Sequence, residues 1–212
     1  AFYSSGQYWE EHSENVLLEA HQKVQAEIRL STVRQFLPTG RNVRVLDIGA
    51  GLGFLGDELS VWASRTKVTG VFYCAVEPDI QAGKRASERL KARGLDCHLV
   101  KSLDQVGDDF DVIFLNHVLE HVHDPIAFLK RVSGRLSKSG MLYVEVPHRD
   151  DRFKVDVFPH VLFFSVTALR RVAERAGLSV QFCEAFGATE GIDVAPIWRF
   201  GARVRRAIMG RM

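Results

Sequence analysis

The chain has 212 residues, of which 46% are hydrophobic and 25% charged, and a formal net charge of +2. These values fit one globular domain with a real core, and exclude a disordered chain, a fibrous repeat and a protein that holds polyanions through overall charge. No uncharged apolar run approaches the roughly 20 residues that span a membrane as a helix.

Cys74, Cys97 and Cys183 are odd in number and lack CxxC spacing. Reduced thiols are therefore expected rather than disulfides or zinc ligands. With no basic-then-apolar leader pattern at the start, the expected location is cytoplasmic.

Residues 1–10 are aromatic and turn-like. From about Glu11 to Leu37, Val16, Leu17, Ala20, Val24, Ile28 and Val33 recur at helical spacing with charges between them. This predicts an amphipathic helix, stopped by Pro38-Thr39-Gly40. Val43, Val45, Leu46 and Ile48 predict a short buried strand with Asp47 near its carboxyl end. Gly49, Gly51 and Gly53 predict a tight turn, and a helix over 54–64 opens directly after it. A second strand is predicted over 71–76, ending in Glu77-Pro78-Asp79, followed by a helix over about 80–93 that Asp79 caps and Gly94 ends. Cys97–Val100 is the third strand and Phe110–Leu115 the fourth, apolar almost throughout as a central parallel strand is.

Asp124-Pro125 starts the next helix, with Ile126, Phe128, Leu129, Val132 and Leu136 on its apolar face and Ser139-Gly140 at its end. Met141–Val146 is the fifth strand. Ser165 caps a helix over Val166–Ala176, Gly177 ends it, and Leu178–Ala185 is the sixth strand. Past Gly187 the pattern weakens. Ile192–Val194 is a poor seventh strand, whereas Pro196–Met209 reads as a basic amphipathic helix, with Ile197, Phe200, Val204 and Ile208 on one side and arginines on the other. Such a tail suits an anionic partner or another domain. Strands alternating with helices imply a mostly parallel sheet covered on both faces. The expected division is 1–40 an N-terminal helix, 41–187 the core, and 188–212 a basic extension.

Strand, glycine turn and helix together form the layout of a nucleotide-type cofactor site. Gly51-x-Gly53-x-x-Gly56 also fits a dinucleotide pattern. Asp47 discriminates, because a carboxylate there attracts a cationic sulfonium and its α-ammonium group and repels a diphosphate. The run Leu46-Asp-Ile-Gly-Ala-Gly-Leu-Gly53 resembles motif I of the class I methyltransferases that use S-adenosylmethionine. A second run, Leu119-Glu-His-Val-His-Asp-Pro125 after the fourth strand, resembles a wording recurrent in a small-molecule subfamily of those enzymes. The similarity covers about residues 40–186. It implies a Rossmann-like fold with strand order 3-2-1-4-5-(7)-6 and an N-terminal helix capping the cofactor, so that Tyr3, Tyr8 and Trp9 become candidates to line the site.

The cofactor residues assigned are Asp47, Gly49, Gly51 and Gly53, then Glu77 and Pro78, with Glu77 accepting both ribose hydroxyls. After the third strand the resemblance places the adenine contact, where this chain offers Ser102 and Leu103. It places Asn116 and His117 beside the methionine part. Methyl transfer to a hydroxyl needs a base, and histidine suits that near neutral pH. His148 and His160 are the candidates, since the irregular 147–162 stretch is the natural substrate wall. His117, Glu120 and His121 share a helical face and, with His160, match a metal-assisted 2′-O-methyltransferase. That reading wants Glu-x-x-Glu-His, however, and His117 stands where the first Glu belongs, so no metal ligand is assigned. The reading adopted is an S-adenosylmethionine-dependent methyltransferase, O-methylating a small polar acceptor such as a sugar, glycan or phenol-like ring, with no nucleic acid partner. The alternatives are N- or C-methylation of a small molecule, a metal-assisted 2′-O-methyltransferase, an NAD-dependent oxidoreductase, or a non-catalytic cofactor-binding module.

Overall fold

The structure, a computed structural model, describes residues 16–148, 158–186 and 204–211. Tyr3, Tyr8, Trp9 and Ile192–Val194 lie outside the described residues. The elements in order are α1 (Val16–Val33), β1 (Asn42–Ile48), α2 (Phe54–Ser64), β2 (Gly70–Val76), α3 (Ile80–Ala92), β3 (Cys97–Val100), β4 (Phe110–Asn116), α4 (Pro125–Ser133), β5 (Leu136–Pro147), α5 (Val166–Arg175), β6 (Leu178–Phe186) and β7 (Val204–Arg211). The seven strands form one sheet in the order β3-β2-β1-β4-β5-β7-β6. β1, β2 and β3 pair in parallel. β7 runs antiparallel to both β5 and β6. This is the expected Rossmann-like order, with the seventh strand between the fifth and sixth. Among the described residues no helix is long and apolar enough to cross a membrane.

The chain forms two compact units, one running up to Phe114 and including Arg135–Gly140, the other made of Leu115–Gly134 and the residues from Met141 onward. In the first unit, Val43, Val45 and Leu46 of β1 and Tyr73 and Ala75 of β2 are fully enclosed, with Leu59 of α2 and Leu90 of α3 among the other buried residues. α1 packs on α2. The residues it contributes to the core are Ala26, Leu30, Val33 and, past its end, Leu37. Val24 and Ile28, expected on the inner face, are 51% and 36% exposed. The apolar residues of this helix form two overlapping stripes. The buried one continues through the 3-10 turn Arg34–Phe36 into Leu37, so it offers the longer contact.

Glu19 at the start of α1 meets Arg85 of α3 at 3.0 Å and Arg89 at 3.6 Å. Asp111 of β4 accepts from both terminal guanidinium nitrogens of Arg41 and, at 2.9 Å, from the Arg44 backbone N–H, so one buried carboxylate gathers the approach to β1. In the second unit, Leu129 and Val132 of α4, Leu142 and Val144 of β5, Leu169 and Ala173 of α5 and Leu178 of β6 are buried. Asp124 caps α4 by accepting from Ala127 N at 3.0 Å, and Ser165 caps α5 through Ala168 N at 3.0 Å, both as expected.

Two expectations are corrected. The helix opened by Asp124-Pro125 ends at Ser133, and Leu136 already belongs to β5. The backbone carbonyl of Arg135 accepts from Phe110 N at 2.9 Å, which draws this segment into the sheet. Gly140 is thus a strand residue, and a Cβ there would lie 2.6 Å from the Phe110 carbonyl oxygen. The glycine serves backbone approach, not helix termination. The second correction concerns the basic stretch 196–209, whose described part from Val204 is strand rather than helix. Met141–Pro147 pairs with it on one side, and Leu178–Phe186 on the other, with a bulge between Val180 and Phe182. A short segment mixing apolar and arginine residues fits either period, and pairing on two sides decides for the strand.

Gly140→Ala is expected to destabilise the protein by about 1–3 kcal/mol through overpacking against fixed backbone; urea unfolding followed by circular dichroism checks it.

Candidate functional site

At the carboxyl end of β1 the chain turns at Gly49, Gly51 and Gly53, whose φ angles of 75°, 54° and 78° lie in the left-handed region that favours glycine. Gly49 N and Ala50 N both donate to the Val76 carbonyl, at 2.9 and 3.3 Å. Gly53 N donates back to Ala50 at 3.0 Å and opens α2. A Cβ at Gly53 would sit 3.0 Å from Ala86 of α3. Gly56, the last residue of the GxGxxG pattern, lies inside α2, where a Cβ would come within 2.7 Å of Leu90 and 2.9 Å of the Tyr73 ring. Helix packing accounts for that residue.

Glu77 holds this turn in place. Its Oε2 accepts from Gly51 N at 2.7 Å and its Oε1 from Asp79 N at 2.9 Å. Burial raises its pKa, and the two backbone N–H groups pull it down. A carboxylate has about four lone-pair directions, so two acceptor positions remain for a ligand. Asp79 caps α3 through Oδ1, 2.9 Å from Ala82 N, as expected. Its Oδ2 is buried and has no hydrogen-bond partner among the described residues. Pro78 is exposed. Ile80, next along, is 64% exposed and offers apolar surface beside these acids.

After β3, Leu103 is buried and Ser102 Oγ accepts from Asp104 N at 3.3 Å. Asp47 is 1% exposed, and its Oδ2 accepts from the Tyr73 hydroxyl at 2.6 Å. Burial first, and the Asp47 charge second, push the Tyr73 pKa well above its ordinary value, so Tyr73 stays a donor. Sequence reasoning missed Tyr73, which looked like one apolar strand residue among several. Its position opposite Val45 in the β1–β2 register is what brings it near Asp47.

A different constellation lies in the second unit. β4 ends at Asn116, whose buried Oδ1 has no hydrogen-bond partner among the described residues. His117 follows with φ of 52°, an uncommon value for a residue with a side chain. Its N–H donates to the Glu145 carbonyl at 2.9 Å. Its ring lies between two buried carboxylates, with Nδ1 3.3 Å from Glu120 Oε1 and Nε2 3.3 Å from Glu145 Oε1. Loss of solvation opposes the ring's charge, but the two carboxylates outweigh that and raise its pKa to about 9. Glu145 also accepts from the Tyr143 hydroxyl at 2.7 Å.

Leu119–His121 forms a 3-10 turn, and the Glu120 carbonyl accepts from Val161 N and Leu162 N at 2.9 and 3.0 Å. The same region sets the His160 ring 4.9 Å from the His121 ring, edge to face. The two base candidates are therefore placed differently. His160 joins Glu120 and His121, whereas His148 pairs with Phe164 and has Nδ1 3.5 Å from the Phe164 carbonyl. The pairing of His117 with Glu145 was not foreseen, because 28 positions of sequence separate them and only strand pairing unites them.

Tyr73→Phe removes the donor from Asp47 Oδ2 and is expected to cost about 1–3 kcal/mol of stability with the fold retained; chemical denaturation of the two proteins measures the difference.

The family described as "Methyltransferase domain" matches residues 20–181. A ubiquinone biosynthesis O-methyltransferase from Parvibaculum lavamentivorans is 33% identical over 109 residues, covering 51% of this chain and 42% of that protein. A tRNA U34 carboxymethyltransferase from Campylobacter jejuni is 32% identical over 87 residues, 37% of this chain and 30% of that protein. The chain thus spans less than half the length of these curated relatives. A SAM-dependent methyltransferase from Thermotoga maritima superposes with a TM-score of 0.66 at 19% identity, covering 100% of each chain, a likeness of fold.

Proposed function

Since this chain belongs to the methyltransferase-domain family, in its S-adenosylmethionine-dependent form, we propose that it transfers the cofactor's methyl group to an oxygen of a small polar acceptor such as a sugar, glycan or phenol-like ring. The observation that carries the cofactor half is the Glu77 carboxylate. It is anchored by Gly51 N and Asp79 N and retains acceptor capacity for a ribose diol. The Oδ2 of Asp79, without a hydrogen-bond partner among the described residues, and the exposed Ile80 fit a nucleoside beside it.

In this reading Gly49, Gly51 and Gly53 let the backbone approach the cofactor, and Asp47 supplies the negative field that favours a sulfonium over a diphosphate. Pro78, Ser102 and Leu103 border the nucleoside. Asn116 and His117 attend the methionine part. The likeness to an O-methyltransferase over 109 residues supports oxygen as the acceptor atom. The reaction is an in-line displacement: the acceptor oxygen's lone pair forms the new C–O bond, the C–S bond breaks, and the hydroxyl proton passes to a base. The donor is already activated, so alignment carries most of the catalysis. His117 does not suit the role of base, since both its ring nitrogens face carboxylates. His148 and His160 remain the candidates.

Titration calorimetry with S-adenosylmethionine and NADH tests the cofactor, and labelled S-adenosylmethionine offered with phenols, sugars and amines tests the acceptor. Binding of the sulfonium alone and label transfer to a hydroxyl are expected. NADH binding, or label found only on nitrogen, overturns the reading. Glu77→Ala is expected to weaken S-adenosylmethionine binding by about 1–3 kcal/mol, the loss of charge-linked hydrogen bonds; unchanged affinity removes Glu77 from the site.

A further inference from the structure

We propose that Glu120, His121 and His160 form a binding site for a divalent transition-metal ion with two imidazole ligands and one carboxylate. Each offers one ligand atom, and the three atoms lie within 4.8 Å of one another. Ligands at about 2.0–2.2 Å from a common ion stand some 3–4 Å apart, so modest side-chain rotation closes the set. All three residues belong to one compact unit and are bound together by backbone: the Glu120 carbonyl holds Val161 N and Leu162 N, directly after His160.

Two observations point to a ligand rather than to packing alone. Glu120 is 1% exposed, and neither of its carboxylate oxygens has a hydrogen-bond partner among the described residues. His117 Nδ1 and His121 Nε2 approach Oε1 at 3.3 and 3.9 Å, within ion-pairing range. The His117 ring is shared with Glu145, and a buried carboxylate left without an aligned donor of its own costs stability unless something coordinates it. Secondly, the tautomer of His121 is set. A carbonyl only accepts, so Nδ1, 3.2 Å from the Pro159 carbonyl oxygen, carries the proton. In the neutral ring Nε2, the atom on the Glu120 side, is then the nitrogen that can ligate. An imidazole whose far nitrogen donates to a backbone carbonyl is the usual support for a metal-bound histidine.

Two nitrogens and one oxygen suit zinc, manganese or cobalt better than magnesium or calcium, which prefer all-oxygen surroundings. His117 is not a fourth protein ligand, because its ring is shared between Glu120 and Glu145. Three protein ligands leave coordination positions open to water or to an acceptor hydroxyl, whose acidity a bound dication raises. That last role rests on the oxygen-acceptor reading, whereas metal binding does not.

The test uses tag-free protein stripped with a chelator and then titrated with Co2+, followed by visible absorption, with Zn2+ as competitor. The expected result is one ion per chain, displaced by Zn2+, with affinity lowered at least tenfold in both Glu120→Gln and His160→Ala and unchanged in His123→Ala. Circular dichroism verifies that the variants are folded. Should Glu120→Gln unfold, His121→Asn takes its place with the same expectation. Absence of stoichiometric binding, or binding that these variants leave intact, overturns the site. One ion bound without methyl transfer to any hydroxyl leaves the site standing and removes the oxygen-acceptor reading.

Discussion

One carboxylate ties the glycine turn to the second strand. Glu77 accepts from Gly51 and from Asp79 at once, joining the loop after β1 to the residues that open α3. The left-handed glycines permit that conformation; Glu77 selects it. Everything proposed for the nucleoside follows from this clasp, because it fixes the same backbone that a ligand approaches. Its burial makes ionisation harder, and two N–H groups make it easier. The balance leaves a carboxylate committed to the backbone yet still able to accept.

The parallel half of the fold was legible because its signals are local. β1, β2, β3 and β4 are short apolar runs closed by turn residues, and the observed bounds fall within a residue of those expected. The caps at Asp79, Asp124 and Ser165 were readable for the same reason, since a cap is a contact three residues long. The failures share a different cause. Gly140 reads as a helix stop until the Phe110 carbonyl is brought against it. Val24 and Ile28 obey the helical period, yet the core takes the neighbouring stripe. The strand at Val204–Arg211 owes its state to partners on both sides, which no local pattern contains.

The site divides along the same line. Asp47, the three glycines and Glu77 announce themselves by order and spacing. The residues that occupy Asp47 and His117 do not. Tyr73 reaches Asp47 across the β1–β2 pairing, and Glu145 reaches His117 through the backbone contact at the end of β4. His117, expected at the end of the fourth strand, stands between Glu120 and Glu145, and a minor grouping in the sequence, Glu120 with His121 and His160, proves to be close in space. Histidines are ambiguous in sequence because a ring nitrogen can donate, accept or ligate, and only its neighbours decide which.

The antiparallel strand at Val204–Arg211 fills a slot whose two walls, β5 and β6, are both translated before it. On a ribosome adding roughly 5–20 residues per second, those walls stand for seconds with open hydrogen-bonding edges. Each is a template for pairing with the wrong chain. The sheet of a nascent molecule is therefore unfinished until Val204–Arg211 follows, with β5 and β6 each short of one neighbour.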